Sequence, residues 1–227
     1  NTMKIYDMVE FYDLYHKTVI PHAEIEDFEV NHLFEPAYHK FKYIEKFANS
    51  EYEIDRYYLY LIEEGFKKHF MNKDLTRKKF YKIMERIDTE LKEVWLISER
   101  LGDRMSSYYV LTKQVVDLIW NEGDSICGVA RGSAAGYLTN MLLGITQINP
   151  LEYNLPHFRH LTAERPELPD IDLDSEQSKR NKILQALKNK FGEKRVLNIA
   201  TFGTEGSRSA LLSACRGMGI DVDEASY

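Results

Sequence analysis

Between residues 50 and 121 apolar positions recur every three or four residues, the spacing of one buried helix face. Ile54, Tyr57, Tyr58, Leu61, Ile62 and Phe66 form a first stripe. Ser50-Glu51-Tyr52-Glu53 has the form of a capping box, in which the serine hydroxyl takes the backbone N–H three residues on. A longer stripe (Phe80, Ile83, Ile87, Leu91, Val94, Leu101) predicts a helix over 76–101, with Gly102 as its stop. A third helix is predicted over 107–121, ending before Gly123. The stripes of this half read as core and its charges as solvated faces. From Asp124 the pattern shortens. Ser125 to Ala130 is a compact apolar run, read as a buried strand. Arg131-Gly132-Ser133-Ala134-Ala135-Gly136 follows as a small-residue turn, and Leu138, Met141, Leu142 and Leu143 as a further helical run. Asn149-Pro150 opens a short helical turn, with proline at the first helical position. Pro169 to Asp174 alternates carboxylates with aliphatics, the period of a strand. Ser175 then caps a helix running to Phe191, Val196 to Ala200 reads as another strand, and Thr201 to Thr204 turns into a last helix carrying Arg208 and Arg216. Residues 1–35, rich in tyrosine (Tyr6, Tyr12, Tyr15), show little periodicity and read as the tail of a preceding domain with a linker.

The 227 residues are 44% hydrophobic and 29% charged, as in ordinary globular proteins. No stretch has the length and apolarity of a membrane span or a secretory signal. With Asn1 in first place, the chain reads as a piece of a longer one. Cys127 and Cys215 lie far apart without metal-ligand spacing, as reduced thiols of a cytosolic protein do. His16, His22, His32 and His39 likewise lack such spacing. A net charge of −6 is not that of a dedicated nucleic-acid binder, but residues 176–216 carry nine Lys/Arg against three acids. A basic segment directly after an acidic one suits a site that holds a cation and a polyanion together. A solvated helix face explains the charge equally well.

The acidic row carries the sharpest chemistry. On a strand, Asp170, Asp172 and Asp174 share one face while Ile171 and Leu173 anchor the other. Like charges this close are tolerated where water solvates them or cations neutralise them. Mg²⁺ prefers carboxylate oxygens and keeps waters that phosphate oxygens can replace, so two aimed aspartates suit two-metal phosphoryl transfer. A solvated strand edge is the plain alternative. A calcium loop would want Gly and Glu at the sixth and twelfth places from Asp170, where Ser175 and Asn181 stand. In the turn before it, a strand-to-helix connection aims backbone N–H groups at an anion. Gly132 permits close approach, Ser133 adds a hydroxyl and Arg131 adds charge. The turn lacks the lysine of a Walker motif and the glycine spacing of a dinucleotide fingerprint. A Gly-Ser turn followed by D-x-D is the plan of a nucleotidyltransferase.

Taken in order, Arg131-Gly132-Ser133, Leu143-Gly144-Ile145-Thr146, Asn149-Pro150-Leu151, Glu164-Arg165, Pro169-Asp170-Ile171-Asp172-Leu173-Asp174, Phe191-Gly192 and Ala200-Thr201-Phe202-Gly203-Thr204 resemble the bacterial replicative DNA polymerase III alpha subunit, the C family of DNA polymerases. The resemblance is tight from about Ser107 to Gly219 and looser upstream to about Glu51. It implies an α+β fold: a polymerase β-like nucleotidyltransferase palm over 36–203 with a largely helical N-terminal half. Residues 1–35 would end a phosphoesterase-like (PHP) domain, and 204–227 would begin the thumb. By resemblance, Asp170 and Asp172 are the catalytic aspartates and ligands of two Mg²⁺ ions. Arg131, Gly132, Ser133, Arg159 and Arg165 would bind the nucleotide's phosphates. The partners implied are primer–template DNA and dNTPs, with a sliding clamp and replisome subunits reached through regions outside these residues, in the cytoplasm and away from membranes. Ser175 departs from the aromatic residue usual in the family after the last Asp of the strand. The family's third catalytic Asp lies beyond Tyr227, so these residues alone are expected not to synthesise DNA. Two other readings stand beside this one: a template-independent nucleotidyltransferase, and a non-catalytic binding module derived from the palm.

Overall fold

The computed structural model describes residues 2–8, 19–29, 32–71, 75–165, 167–199, 201 and 203–225. Tyr12, Tyr15, His16, Ala200 and Phe202 lie outside the described residues. The predicted helices form at Glu53–Phe66, Arg77–Leu101 and Ser106–Asn121, joined by a short helix at Lys42–Ala48 that the sequence pattern does not announce. Thr76 caps the long helix by accepting from the Lys79 N–H at 3.3 Å, and Gly102 ends it as expected. The capping box does not form. Ser50 lies two residues outside the helix and its hydroxyl donates to the buried Asp55 at 2.7 Å. Asp55 also accepts from the Ser106 hydroxyl at 2.5 Å and lies 2.6 Å from the Arg104 guanidinium, so the serine is drawn into a cluster tying three segments together.

The core is aromatic and lies between these helices. Phe34 meets Phe66 edge-on at 5.2 Å, and Tyr58 stacks on Tyr109 at 5.6 Å. Residues from the chain start join the same core, Ile20 and Phe34 being fully buried. Gly65 lets the Glu53–Phe66 helix press directly on the backbone of Leu142, since a Cβ there would stand 2.0 Å from its carbonyl oxygen. A smaller core joins Val116 and Ile119 to Ile183 of the Arg180–Phe191 helix.

The expected α+β palm is not what these residues form. The described residues are helical, with two isolated antiparallel bridges, Cys127 to Ser175 and Thr162 to Arg165, and no sheet. The reason lies in where the backbone bonds of the extended segments go. Segment 125–130 shares one backbone-to-backbone bond with 174–176, Gly128 donating to the Asp174 carbonyl at 2.9 Å, and side-chain bonds of Ser125 and Glu176 take up the groups on either side. One residue on, the Val129 carbonyl already accepts from Gln147 at 2.7 Å, so the ladder ends. Residues 196–199 form no bridge among the described residues, and Leu197 and Ile199 are exposed. Without successive pairings an extended run is not a strand, whatever its period. The alternation of the acidic segment survives: Ile171 and Leu173 pack on the helical core instead of on a neighbouring strand. The helical run after the turn is short, Leu138–Leu142, and the Asn149-Pro150 stretch is a hydrogen-bonded turn. Ser175 does not cap the next helix, which begins at Arg180 after a tight turn at Gln177–Lys179.

One buried ion pair joins the helical half to the turn. On the long helix, Arg86 Nε lies 2.6 Å from Glu90, whose side chain is fully buried. The two Glu90 oxygens accept from the Leu138 and Thr139 N–H groups, each at 2.8 Å. Arg86 donates in turn to the carbonyls of Gly136 and of Leu155, the latter at 2.9 Å. Arg86→Met would strand a buried carboxylate and two carbonyls, and should cost about 3–5 kcal/mol of stability by urea unfolding. The more exposed pair Lys113–Asp117 provides the control. Lys113→Met should cost at most about 1 kcal/mol. Equal losses in the two variants would show that the Arg86–Glu90 pair does not hold this region.

Candidate active site

The turn after Cys127 and the acidic segment lie against each other. Arg131 reaches across, one guanidinium nitrogen 2.7 Å from Asp172 Oδ1 and the other 3.5 Å from Asp174 Oδ1. Gly132 has φ +65°, a left-handed conformation that resists branched side chains, and a Cβ there would stand 3.3 Å from Asp172 Oδ2. Arg131, Gly132, Asp172 and Asp174 therefore form one surface. Asp170 is exposed at its start, where the Tyr108 hydroxyl donates to the Pro169 carbonyl and ties the segment to the Ser106–Asn121 helix. The ion pair is open to water, side chains being 55% exposed for Arg131 and 39% for Asp172. Exposed pairs of this kind contribute about 0–1 kcal/mol, so Arg131 is free to exchange partners.

The turn is built differently from a long helix start. Gly132–Gly136 is a single tight turn and the helix after it has five residues. Its first free N–H groups, those of Leu138 and Thr139, are already taken by Glu90. The helix end thus offers no anion site, and the groups left at the turn are the Arg131 guanidinium, the backbone of Gly132 and the Ser133 hydroxyl. Ser133 meets His160, whose Nδ1 lies 3.2 Å from Ser133 Oγ. Arg159 is the neighbour of His160 and is exposed. Arg165 stands in the bridged turn from Thr162, its guanidinium 3.9 Å from Glu167. Among the described residues no hydrogen bond or ion pair joins Arg159 or Arg165 to Asp170 or Asp172. The basic window is partly neutralised, Lys179 and Lys182 both reaching Asp124 at 2.6 and 3.4 Å. Cys127 and Cys215 are free thiols. A cleft of about 640 Å³ lined by Lys113, Asp117, Trp120 and Leu142 opens elsewhere and contains none of the turn or acidic residues.

His160, Tyr108, Arg86 and Glu90 are absent from the sequence-derived site. Only the i, i+4 spacing of Arg86 and Glu90 hints at a pair, and nothing in the spacing of His160 marks it. In the structure His160 is 2% exposed and sits edge-on to Tyr137 at 4.7 Å. Tyr137 stacks on Tyr109 and Tyr109 on Tyr58, an aromatic column from the helical core to the underside of the turn.

As a donor set, Asp170 and Asp172 fit a hard divalent cation: both are accessible oxygen ligands two residues apart. Among the described residues no group of three or more His, Cys, Asp or Glu is placed to hold a metal ion, so protein ligands beyond the pair would come from elsewhere.

Residues 56–227 match the family model described as the bacterial DNA polymerase III alpha NTPase domain. Over its whole length the chain is 54% identical to a probable DNA polymerase, YorL, of Bacillus subtilis strain 168, and to a DNA-directed DNA polymerase of Bacillus phage SPbeta. It covers 18% of each of those proteins. Over 59% of the chain and 14% of the relative, it is 38% identical to DNA polymerase III subunit alpha of Staphylococcus aureus strain MRSA252. Among the described residues no helix is long and apolar enough to cross a membrane.

Burial pushes the His160 imidazole down from 6.5 to about 4. Folding therefore favours the neutral ring: its contribution is complete above pH 6.5 and is lost as pH falls toward 4. The shift corresponds to about 3 kcal/mol. Glu63, Asp88 and Glu90 are raised by burial and titrate in the opposite sense, so the comparison must be differential. The stability of wild type relative to His160→Asn, by urea unfolding, should fall between pH 6.5 and 4. Parallel curves would show that His160 is not held dry and neutral.

Proposed function

Since the chain belongs to the bacterial DNA polymerase III alpha family, we propose that it carries the nucleotide-transfer site of a DNA-directed DNA polymerase. The observation that carries the reading is the contact of the Arg131–Ser133 turn with the Asp170–Asp174 segment, which sets an anion-binding group beside an acidic one. The substrates of this reading are a dNTP and the 3′ hydroxyl of a primer on template DNA. A sliding clamp and other replisome subunits would be engaged by parts of the protein outside these residues.

In this reading Asp170 and Asp172 hold Mg²⁺, two ions when nucleotide is present. Bound there, the metal supplies charge neutralisation for the phosphates and makes a hydroxyl a better nucleophile. The chain's own groups do the rest. Arg131 neutralises Asp172 until a triphosphate arrives, and a phosphate is a better bidentate partner for a guanidinium than a solvated carboxylate shared at two distances. Gly132 has no side chain to hold the phosphates off the backbone, and Ser133 adds a hydroxyl donor. Arg159 and Arg165, both exposed and both preceding the acidic segment in the chain, serve phosphates of nucleotide or DNA by charge.

Templated primer extension with Mg²⁺ by the full-length protein tests this. Asp172→Asn should lower kcat by at least about 10²-fold, because misplacing reacting groups costs that much. Gly132→Val should raise the dNTP KM and lower kcat while leaving the protein folded. Extension that ignores the template base would favour a template-independent nucleotidyltransferase. Full activity of Asp172→Asn would remove the acidic segment from catalysis.

A further inference from the structure

His160 has polar groups on both ring nitrogens, and their chemistry fixes its tautomer. Nε2 lies 3.3 Å from the Asn140 amide nitrogen and 3.4 Å from the Tyr109 hydroxyl. The Asn140 amide is oriented by its other bond: Nδ2 donates to the Ala134 carbonyl at 3.0 Å, where a flipped amide would set two oxygens together. Its second proton is thus directed at Nε2. Tyr109 is fully buried and its hydroxyl is held well above the usual phenol range by burial, so it keeps its proton and is able to donate or to accept. The Asn140 N–H facing this nitrogen requires a lone pair there, and the Tyr109 hydroxyl then donates to the same side. A neutral imidazole carries one N–H, which then sits on Nδ1. Nδ1–H faces Ser133 Oγ at 3.2 Å. A hydroxyl that accepts at its oxygen keeps its own proton for another acceptor.

We propose that His160 is a positioning residue for oxyanion binding at the turn: its Nδ1–H donates to Ser133 Oγ and directs the Ser133 hydroxyl proton outward to a nucleotide phosphate oxygen. The proposal rests on the reading that this turn holds the phosphates. It assigns a function to the aromatic column: Tyr109 and Tyr137 hold the ring, the ring holds the serine, and the serine meets the ligand. Without the Nδ1 donor, Ser133 Oγ–H would turn inward toward the buried imidazole or amide that replaced it, and the donor would be lost to the ligand.

The test separates the two ring nitrogens. In His160→Asn, the side-chain amide nitrogen stands near the place of Nδ1 and keeps a donor for Ser133. In His160→Gln, the amide oxygen stands near the place of Nε2, satisfies Asn140 and Tyr109, and leaves Ser133 without its donor. Primer extension by the full-length protein should give a dNTP KM within about 2-fold of wild type for His160→Asn. His160→Gln should raise it about 5- to 10-fold, as loss of one oriented hydrogen bond does, with kcat less affected. Ser133→Ala should raise KM similarly, and Ser133→Ala/His160→Gln should be no worse than Ser133→Ala alone. If Ser133→Ala leaves KM unchanged, the phosphate reading of the turn falls and this proposal with it. If Ser133→Ala raises KM while folded His160→Gln does not, the positioning role alone is overturned. Equal, additive losses for both His160 variants would reduce His160 to a packing residue and overturn it as well. Independently of any variant at position 160, the imidazole ¹⁵N shifts should show a protonated Nδ1 and a bare Nε2, with Nδ1 moving in Ser133→Ala. The opposite tautomer would overturn the proposal.

Discussion

The buried Arg86–Glu90 pair is the interaction on which the rest of this structure depends. Both residues belong to the long helix, yet beyond each other their side chains bond the turn, the short helix after it and Leu155. Glu90 stands where water would otherwise satisfy the start of the Leu138–Leu142 helix. Arg86 stands where water would satisfy the Gly136 and Leu155 carbonyls. A buried ion pair adds little net stability over an apolar substitute of the same shape, because desolvation opposes the attraction. What it supplies here is position. Five residues do not make a stable helix by themselves, and a turn of small residues has no side chains with which to anchor itself. The pair fixes the end of the turn and the start of the helix after it by hydrogen bonds of definite direction.

Support and site differ in character accordingly. Beneath the turn the side chains are shut away from solvent: Tyr58, Tyr109, Tyr137 and His160 are buried and in ring contact. Above it, Arg131, Asp170 and Asp174 are exposed, and Asp172 is partly so. A polar group in water changes partners at little cost, whereas one inside the protein does not. The arrangement suits a site that must exchange a guanidinium–carboxylate contact for ligands of higher charge while its backbone stays still. Pro169, held by Tyr108, marks the boundary between the two regimes.

Sequence alone determined the three long helices of the first half and the family. A 3.6-residue stripe such as Ile83, Ile87, Leu91 and Val94 has one low-energy solution, and the long helix begins and ends within a residue of where Thr76 and Gly102 put it. The ordered motifs from Arg131 to Thr204 were enough to identify the family, because residue identity and spacing carry that information without a fold. Tertiary structure decided the rest. Period two shows that side chains alternate, and Ile171 and Leu173 do alternate with the aspartates; it does not show that a partner backbone is present, and here the ladder stops after one bridge, so the expected α+β sheet does not form. The Ser50 cap failed for a related reason: the bond its hydroxyl donates to Asp55, buried beside Arg104 and Ser106, holds the serine before the helix, where its oxygen accepts from the Tyr52 N–H instead of from the N–H three residues on. His160 was silent in the sequence, and Arg86 and Glu90 showed no more than a pair's spacing, because their roles depend on atoms 20 to 69 residues away. Local pattern records which face of a segment is buried; only the assembled chain shows what each buried polar atom meets there.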